Sequence, residues 1–167
     1  FHTTVWNEWS LYPTFNINYA PAPGNVWQLS LSSDKSYPDY WATQDAVSYM
    51  GGGYSEIHGN PYLKPEINYQ LQLTYVLNSK YMFNAWYSHT KDNATQTLYQ
   101  SPERLVEIYK YFNFDFEQQA GVQAVVPFAI GRWLKSRFTL TGVYDRQKDS
   151  DFWDIPFDRK AYYAMLS

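Results

Sequence analysis

The chain has 167 residues, a net charge of −3 and no cysteine, and aromatic residues make up 20% of it. The absence of cysteine excludes disulfides, thiolate metal sites and thiol catalysis, and the lack of a basic surplus argues against a nucleic-acid partner. Mean hydropathy is −0.53, and no segment approaches the roughly 20 consecutive apolar residues that a membrane helix needs.

Two short strands are predicted at the start of the chain, over residues 11–19 and 27–32. In both, apolar and polar residues alternate, which gives a strand one apolar and one polar face. The residues between them, 21–25, contain two prolines and a glycine, which are typical of a tight turn.

A long connection over residues 34–65 follows, and it is rich in tyrosine and tryptophan. Its length and its triplet Gly51–Gly53 predict a loop that lies outside the membrane and is mobile between residues 48 and 59, because glycine allows many backbone states. Tyr40 and Trp41 stand nearer the end of the second strand and are expected to be held more firmly. They are the best candidates for ligand contact, since such rings can stack on a sugar or hold a peptide.

The third predicted strand, Glu66–Leu77, has the clearest alternation in the chain. Its apolar positions include tyrosines, and the polar positions between them carry Asn, Gln and Thr rather than charges. This pattern is typical of an outer-membrane β-barrel wall, which has lipid on one side and a wet lumen on the other.

The remaining predicted elements follow in chain order: a short turn over 78–80, a strand over 81–88, a connection over 91–103, a strand over 105–126, a short turn over 127–132, a strand over 134–145, a longer loop over 149–160 and a strand from 161 onwards. Short and long connections thus alternate. In outer-membrane barrels the short turns are periplasmic and the long loops extracellular. Phe152 and Trp153, in the last loop, form the second candidate pair for ligand contact.

The predicted fold class is therefore all-β, an antiparallel up-and-down meander of six to seven strands that is part of a transmembrane β-barrel. A soluble antiparallel meander is the alternative on the pattern alone. His2, His58 and His89 are scattered without a metal-binding spacing, and no nucleotide-binding or nucleophile motif is present. We expect no enzymatic activity, catalytic residue, metal or cofactor.

One motif favours the membrane barrel over the soluble meander. It joins the long loop to the third strand and consists of Gly59, Asn60, Pro61, Tyr62, Leu63, Lys64, Pro65 and Glu66. It resembles the G-N-P-x-L-K-P-E element in the barrel of TonB-dependent outer-membrane receptors. Residues 11–19 and 29–38 resemble strands that precede this element, although Asp34-Lys35 stands where the family often has two arginines. The prolines disfavour helix at the residues before them, and Gly59 is expected to allow a backbone turn that other residues resist.

The resemblance implies a part of the wall and extracellular loops of a nutrient-uptake receptor in the outer membrane of a Gram-negative bacterium. In that family the barrel encloses a plug domain, which is absent here, so residues 1–167 are expected to be a partial barrel domain. The implied partners are outer-membrane lipid, the rest of the barrel and its plug, an energy-coupling inner-membrane complex and a surface lipoprotein. The alternatives are a soluble carbohydrate-binding β-module and a structural outer-membrane barrel without transport.

Overall fold

The computed structural model describes residues 9–167, which contain nine β-strands and two 3-10 turns. The strands are β1 Phe15–Ala22, β2 Asn25–Ser36, β3 Val47–Met50, β4 Ser55–His58, β5 Glu66–Leu77, β6 Tyr81–Gln100, β7 Glu107–Ile130, β8 Leu134–Phe152 and β9 Ile155–Leu166, and the 3-10 turns are Tyr40–Thr43 and Gly51–Gly53. No helix within residues 9–167 is long and apolar enough to cross a membrane.

Seven of these strands form an open antiparallel meander in the order β1-β2-β5-β6-β7-β8-β9. Two of its connections show the left-handed backbone that tight hairpins require. Asn78 and Ser79 have φ of 54° and 49°, and Trp153 and Asp154 have φ of 53° and 62°, as in two-residue type I′ turns. The predicted all-β meander is confirmed.

The strand register aligns the apolar positions into rows that cross the whole sheet. One row is Phe15, Leu31, Leu71, Tyr87, Ala120, Tyr144 and Tyr162. Another is Tyr19, Trp27, Tyr75, Phe83, Ala124, Leu140 and Leu166. We call this side of the sheet the apolar face and the opposite side the polar face. Many apolar-face side chains are exposed, as expected of a surface that contacts lipid.

Most strands of the meander extend further than the sequence predicts at one or both ends. β6 continues to Gln100, and β7 starts at Glu107 and includes most of the predicted turn 127–132. The prediction of a longer loop over residues 149–160 is wrong, because β8 and β9 are joined by a two-residue turn at 153–154. These segments lack a regular alternation, and it is the backbone ladder to the neighbouring strand that extends them.

The length of β7 has a consequence for the position of the sheet in a bilayer. Its apolar-face side chains are uninterruptedly apolar over residues 120–130, a length that matches the roughly 9–11 residues of a membrane-spanning strand. Residues 107–119 of β7 extend beyond this apolar band, toward the end of the sheet that carries the longer connections.

The longest connection, residues 37–65, is folded rather than irregular, and we call it the docked loop. It contains the antiparallel pair β3–β4, and β4 pairs in parallel with β7. The segment predicted to be mobile, residues 48–59, therefore contains regular strand and 3-10 structure. The best-buried side chain of the described chain lies in this loop, where Leu63 is 1% exposed.

Candidate functional site

The docked loop is fixed to β7 by two asparagines. Asn113 accepts a hydrogen bond from the backbone N–H of Lys64 at 2.7 Å and donates one to its carbonyl at 2.9 Å. Asn60 donates to the Tyr111 carbonyl at 2.8 Å. By strand alternation Tyr111 and Asn113 share the face of Gln119 and Gln123, so the loop crosses the polar face.

The other motif residues also have structural roles. A Cβ at Gly59 would lie 1.8 Å from the carbonyl oxygen of Gln44, so glycine is required here by close backbone approach and not by a left-handed turn. Leu63 and Pro65 are buried, and Glu66 accepts a hydrogen bond from the Ala94 N–H at 2.7 Å. These contacts explain the motif as the element that folds the loop back onto the sheet.

Glu56 on β4 ties the docked loop to the β6–β7 connection, residues 101–106. Its side chain is 4% exposed, and Arg104 donates to its two oxygens at 3.0 and 3.4 Å. His58 Nε2 lies 2.8 Å from the same carboxylate. The hydrogen bond to His58 and the ion pair with Arg104 hold the pKa of Glu56 below its usual 4.5, against the opposing effect of burial.

We expect the attachment of β4 to weaken at acid pH. A carboxylate whose pKa is lowered by folding contributes stability that is present above its unfolded value of 4.5 and is lost as the pH falls through the folded pKa. Hydrogen exchange of the β4 amides, corrected for the intrinsic pH effect, should lose protection below pH 4.5. In the variant Glu56→Gln this loss should be absent, and a Glu56→Gln protein with the same pH profile would contradict the assignment.

Several aromatic rings of the docked loop remain in solvent. Tyr40 is 80% exposed and Trp41 is 50% exposed. Trp41 also makes an edge-on contact with Tyr111 on β7, with ring centroids 5.7 Å apart. The predicted pair thus combines one free ring and one anchored ring above the polar face.

Phe152 and Trp153, the second predicted pair, lie at the β8–β9 turn and pack against aromatic side chains of the neighbouring strands. Trp153 stacks on Tyr99 at 4.4 Å, and Phe152 contacts Phe114 edge-on at 5.3 Å. These rings and two neighbours form one cluster: Tyr99, Phe112, Phe114, Phe152, Trp153 and Phe157. The cluster joins β6, β7, β8 and β9 beyond the apolar band.

The polar face carries a hydrogen-bonded side-chain ladder. Thr74 donates to Asn84 at 2.9 Å, and Asn84 donates to Gln123 at 3.3 Å. Gln123 donates in turn to Thr141 at 3.2 Å. This ladder crosses four strands, and sequence reasoning missed it because its members are neighbours only in the strand register.

Titratable side chains do not converge on a catalytic or metal-binding arrangement in the described chain. Residues 9–167 contain no group of three or more His, Cys, Asp or Glu that could hold a metal ion. His58 is hydrogen-bonded to Glu56, and His89 Nδ1 lies 3.3 Å from the side-chain amide of Gln118. His2 lies outside the described residues.

A continuous antiparallel wall with a lipid-compatible face, a polar face and a loop folded over that polar face defines an outer-membrane β-barrel wall. The sequence of residues 3–167 matches the outer membrane protein beta-barrel family. The chain belongs to this family, which assigns it to the outer membrane. Among curated proteins, none matches the chain.

Proposed function

We propose that the chain forms part of the wall and extracellular loops of a TonB-dependent receptor, which imports a nutrient through the outer membrane of a Gram-negative bacterium. The observation that carries the proposal is the docked loop. It is folded over the polar face, so the exposed rings of Tyr40 and Trp41 stand at the loop end of the lumen. A loop with this placement can capture a ligand at the mouth of a barrel.

The motif contacts support the same proposal. Asn60 and Lys64 hold the loop against β7 through side-chain and backbone groups, and Leu63 between them is buried. In a receptor this anchoring pre-organises the ligand-contacting rings, which lowers the entropic cost of binding.

The proposal implies partners on both faces. Outer-membrane lipid covers the apolar face, and the rest of the barrel with its plug domain completes the lumen. An inner-membrane energy-coupling complex drives uptake, and a surface lipoprotein meets the extracellular loops. We assign no enzymatic role and no nucleic-acid partner to this part of the receptor.

A structural barrel without transport is the second candidate, and the polar ladder favours it. Thr74, Asn84, Gln123 and Thr141 satisfy one another instead of presenting free groups to a solute. A soluble carbohydrate-binding module, by contrast, conflicts with the outer-membrane family.

We expect the double variant Tyr40→Ala with Trp41→Ala to reduce nutrient uptake by whole cells at least about tenfold, or roughly 1.4 kcal/mol. Both rings are exposed, so folding and membrane insertion should be unchanged. Trp133→Ala is the matched control, because Trp133 is 97% exposed at the β7–β8 turn, the opposite end of the sheet. Normal uptake in the double variant would leave these rings without a role in capture.

Energy dependence separates the two candidates. Uptake through a TonB-dependent receptor should stop when the energy-coupling complex is deleted from cells that carry the intact chain. If permeation continues at its usual rate in the deletion strain, or if removing the chain alters only envelope integrity, the transporter proposal fails.

A further inference from the structure

We propose that the polar face carries a binding subsite for a neutral saccharide, centred on Trp86; as a transport subsite it rests on the function proposed above. Trp86 lines a depression of about 470 Å³ between the docked loop and the polar ladder. The volume lies within the usual range for small-molecule sites, about 300–1,000 Å³. The side chains that surround the ring are Gln70, Gln72, Ser88 and Gln119, with Asp34 and Asn68 at the margin.

Trp86 stands among the amides and the hydroxyl of Gln70, Gln72, Ser88 and Gln119 that line the depression, and it is held there by a glycine. It pairs across the strands with Gly121 on β7. A Cβ at position 121 would lie 2.1 Å from Trp86 Cζ2, so the indole rests directly against the β7 backbone. The ring is thereby fixed in position. Because it lies on the face opposite the lipid, lipid contact does not explain its presence.

The polar groups beside Trp86 differ from those of the rows on either side. On the turn side, Thr74, Asn84 and Gln123 hydrogen-bond to one another. On the loop side, Thr90 donates to Asn68 at 2.8 Å. Between these rows the amides of Gln70, Gln72 and Gln119 make no side-chain hydrogen bond within residues 9–167. Unpaired donors and acceptors therefore concentrate around the fixed ring.

This combination fits a pyranose sugar. Amide side chains both donate and accept, as sugar hydroxyl groups do, and an indole offers a flat apolar surface to the C–H face of the ring. Asp34 is the single charged side chain among the lining residues and lies at the margin, where it accepts a hydrogen bond from Asn68, so the groups next to the indole ring are neutral.

A bound peptide strand fits the subsite less well. Strand addition requires an exposed sheet edge with free backbone groups. The depression lies on β5, β6 and β7, and the central strand, β6, has its backbone paired on both sides. Recognition must then come from side chains and a ring, which suits a saccharide.

The test is calorimetric titration of the purified full-length protein in detergent with neutral trisaccharides of glucose, galactose or mannose, and with trialanine as the peptide probe. At least one trisaccharide should bind, and Trp86→Ala should weaken it about tenfold or more, roughly 1.4 kcal/mol. Gln72→Ala should weaken binding as well, and since Gln72 is exposed its removal leaves the fold intact. Trp133→Ala, at the far turn, should bind normally.

Binding to the purified protein needs no energy source, so the result is independent of the uptake experiments. Failure of every trisaccharide to bind would overturn the saccharide subsite, even if uptake proves to depend on energy coupling. Unchanged affinity in both Trp86→Ala and Gln72→Ala, or binding of trialanine that depends on Trp86, would overturn it too. Trisaccharide binding that both variants weaken would stand even if uptake proved independent of energy coupling.

Discussion

Arginine at position 71 should destabilise the membrane-inserted sheet by about 2–4 kcal/mol, as expected for a charge near the bilayer midplane on the lipid face of a barrel. Leu71 lies on the apolar face of β5 between Leu31 and Tyr87. The guanidinium would have to stay in lipid or distort the strand to reach water. Equilibrium unfolding of the full-length protein in liposomes measures the loss.

The neighbouring position provides the control. Gln70 pairs with Ser32 and Ser88 on the polar face, so Gln70→Arg should unfold at nearly the wild-type denaturant concentration. Equal destabilisation of the two variants, or equal water access of spin labels at positions 70 and 71, would contradict the assignment of the faces.

Truncating Leu63 should release the docked loop, at a cost of about 2–5 kcal/mol for a buried leucine changed to alanine. Leu63 is 1% exposed, and its removal leaves a cavity beneath the segment that Asn60 and Lys64 hold to β7. Limited proteolysis of intact cells should then cut between residues 45 and 59 in Leu63→Ala much faster than in the wild type.

Leu105→Ala is the matched control for this truncation. Leu105 lies in the β6–β7 connection and is 75% exposed, so it contributes little packing to lose. Cleavage that is equally fast in both variants, or unchanged in Leu63→Ala, would mean that packing at Leu63 does not hold the loop.

The sequence predicts the two faces of the sheet well, because alternation along a strand needs no knowledge of its partner. Residues of β5 such as Leu71 and Gln70 are assigned to the correct faces by their positions alone. The motif at the end of the docked loop is also recognisable, since prolines constrain their own neighbours.

The remaining features depend on contacts between distant residues. Glu56 and Arg104 are 48 residues apart, and the parallel pairing of β4 with β7 has no local signal. In the sequence Trp86 is an exception to the alternation, and its position against the β7 backbone becomes visible only when the register sets it opposite Gly121. The hairpin β3–β4 was missed for the same reason: its glycines, Gly51–Gly53, indicate a turn without indicating what the turn joins.

The pairing of β4 with β7 also protects the chain against aggregation. A long strand with an unpaired edge exposes backbone groups on which another polypeptide can pair. Along the edge opposite β6, β8 covers β7 from residue 116 onwards and β4 covers residues 107–110. Between them, Asn60 occupies the Tyr111 carbonyl, and Asp115 binds the backbone of Ser150. The edge that is left open in this region belongs to β3, and four residues are too few to recruit a neighbouring chain.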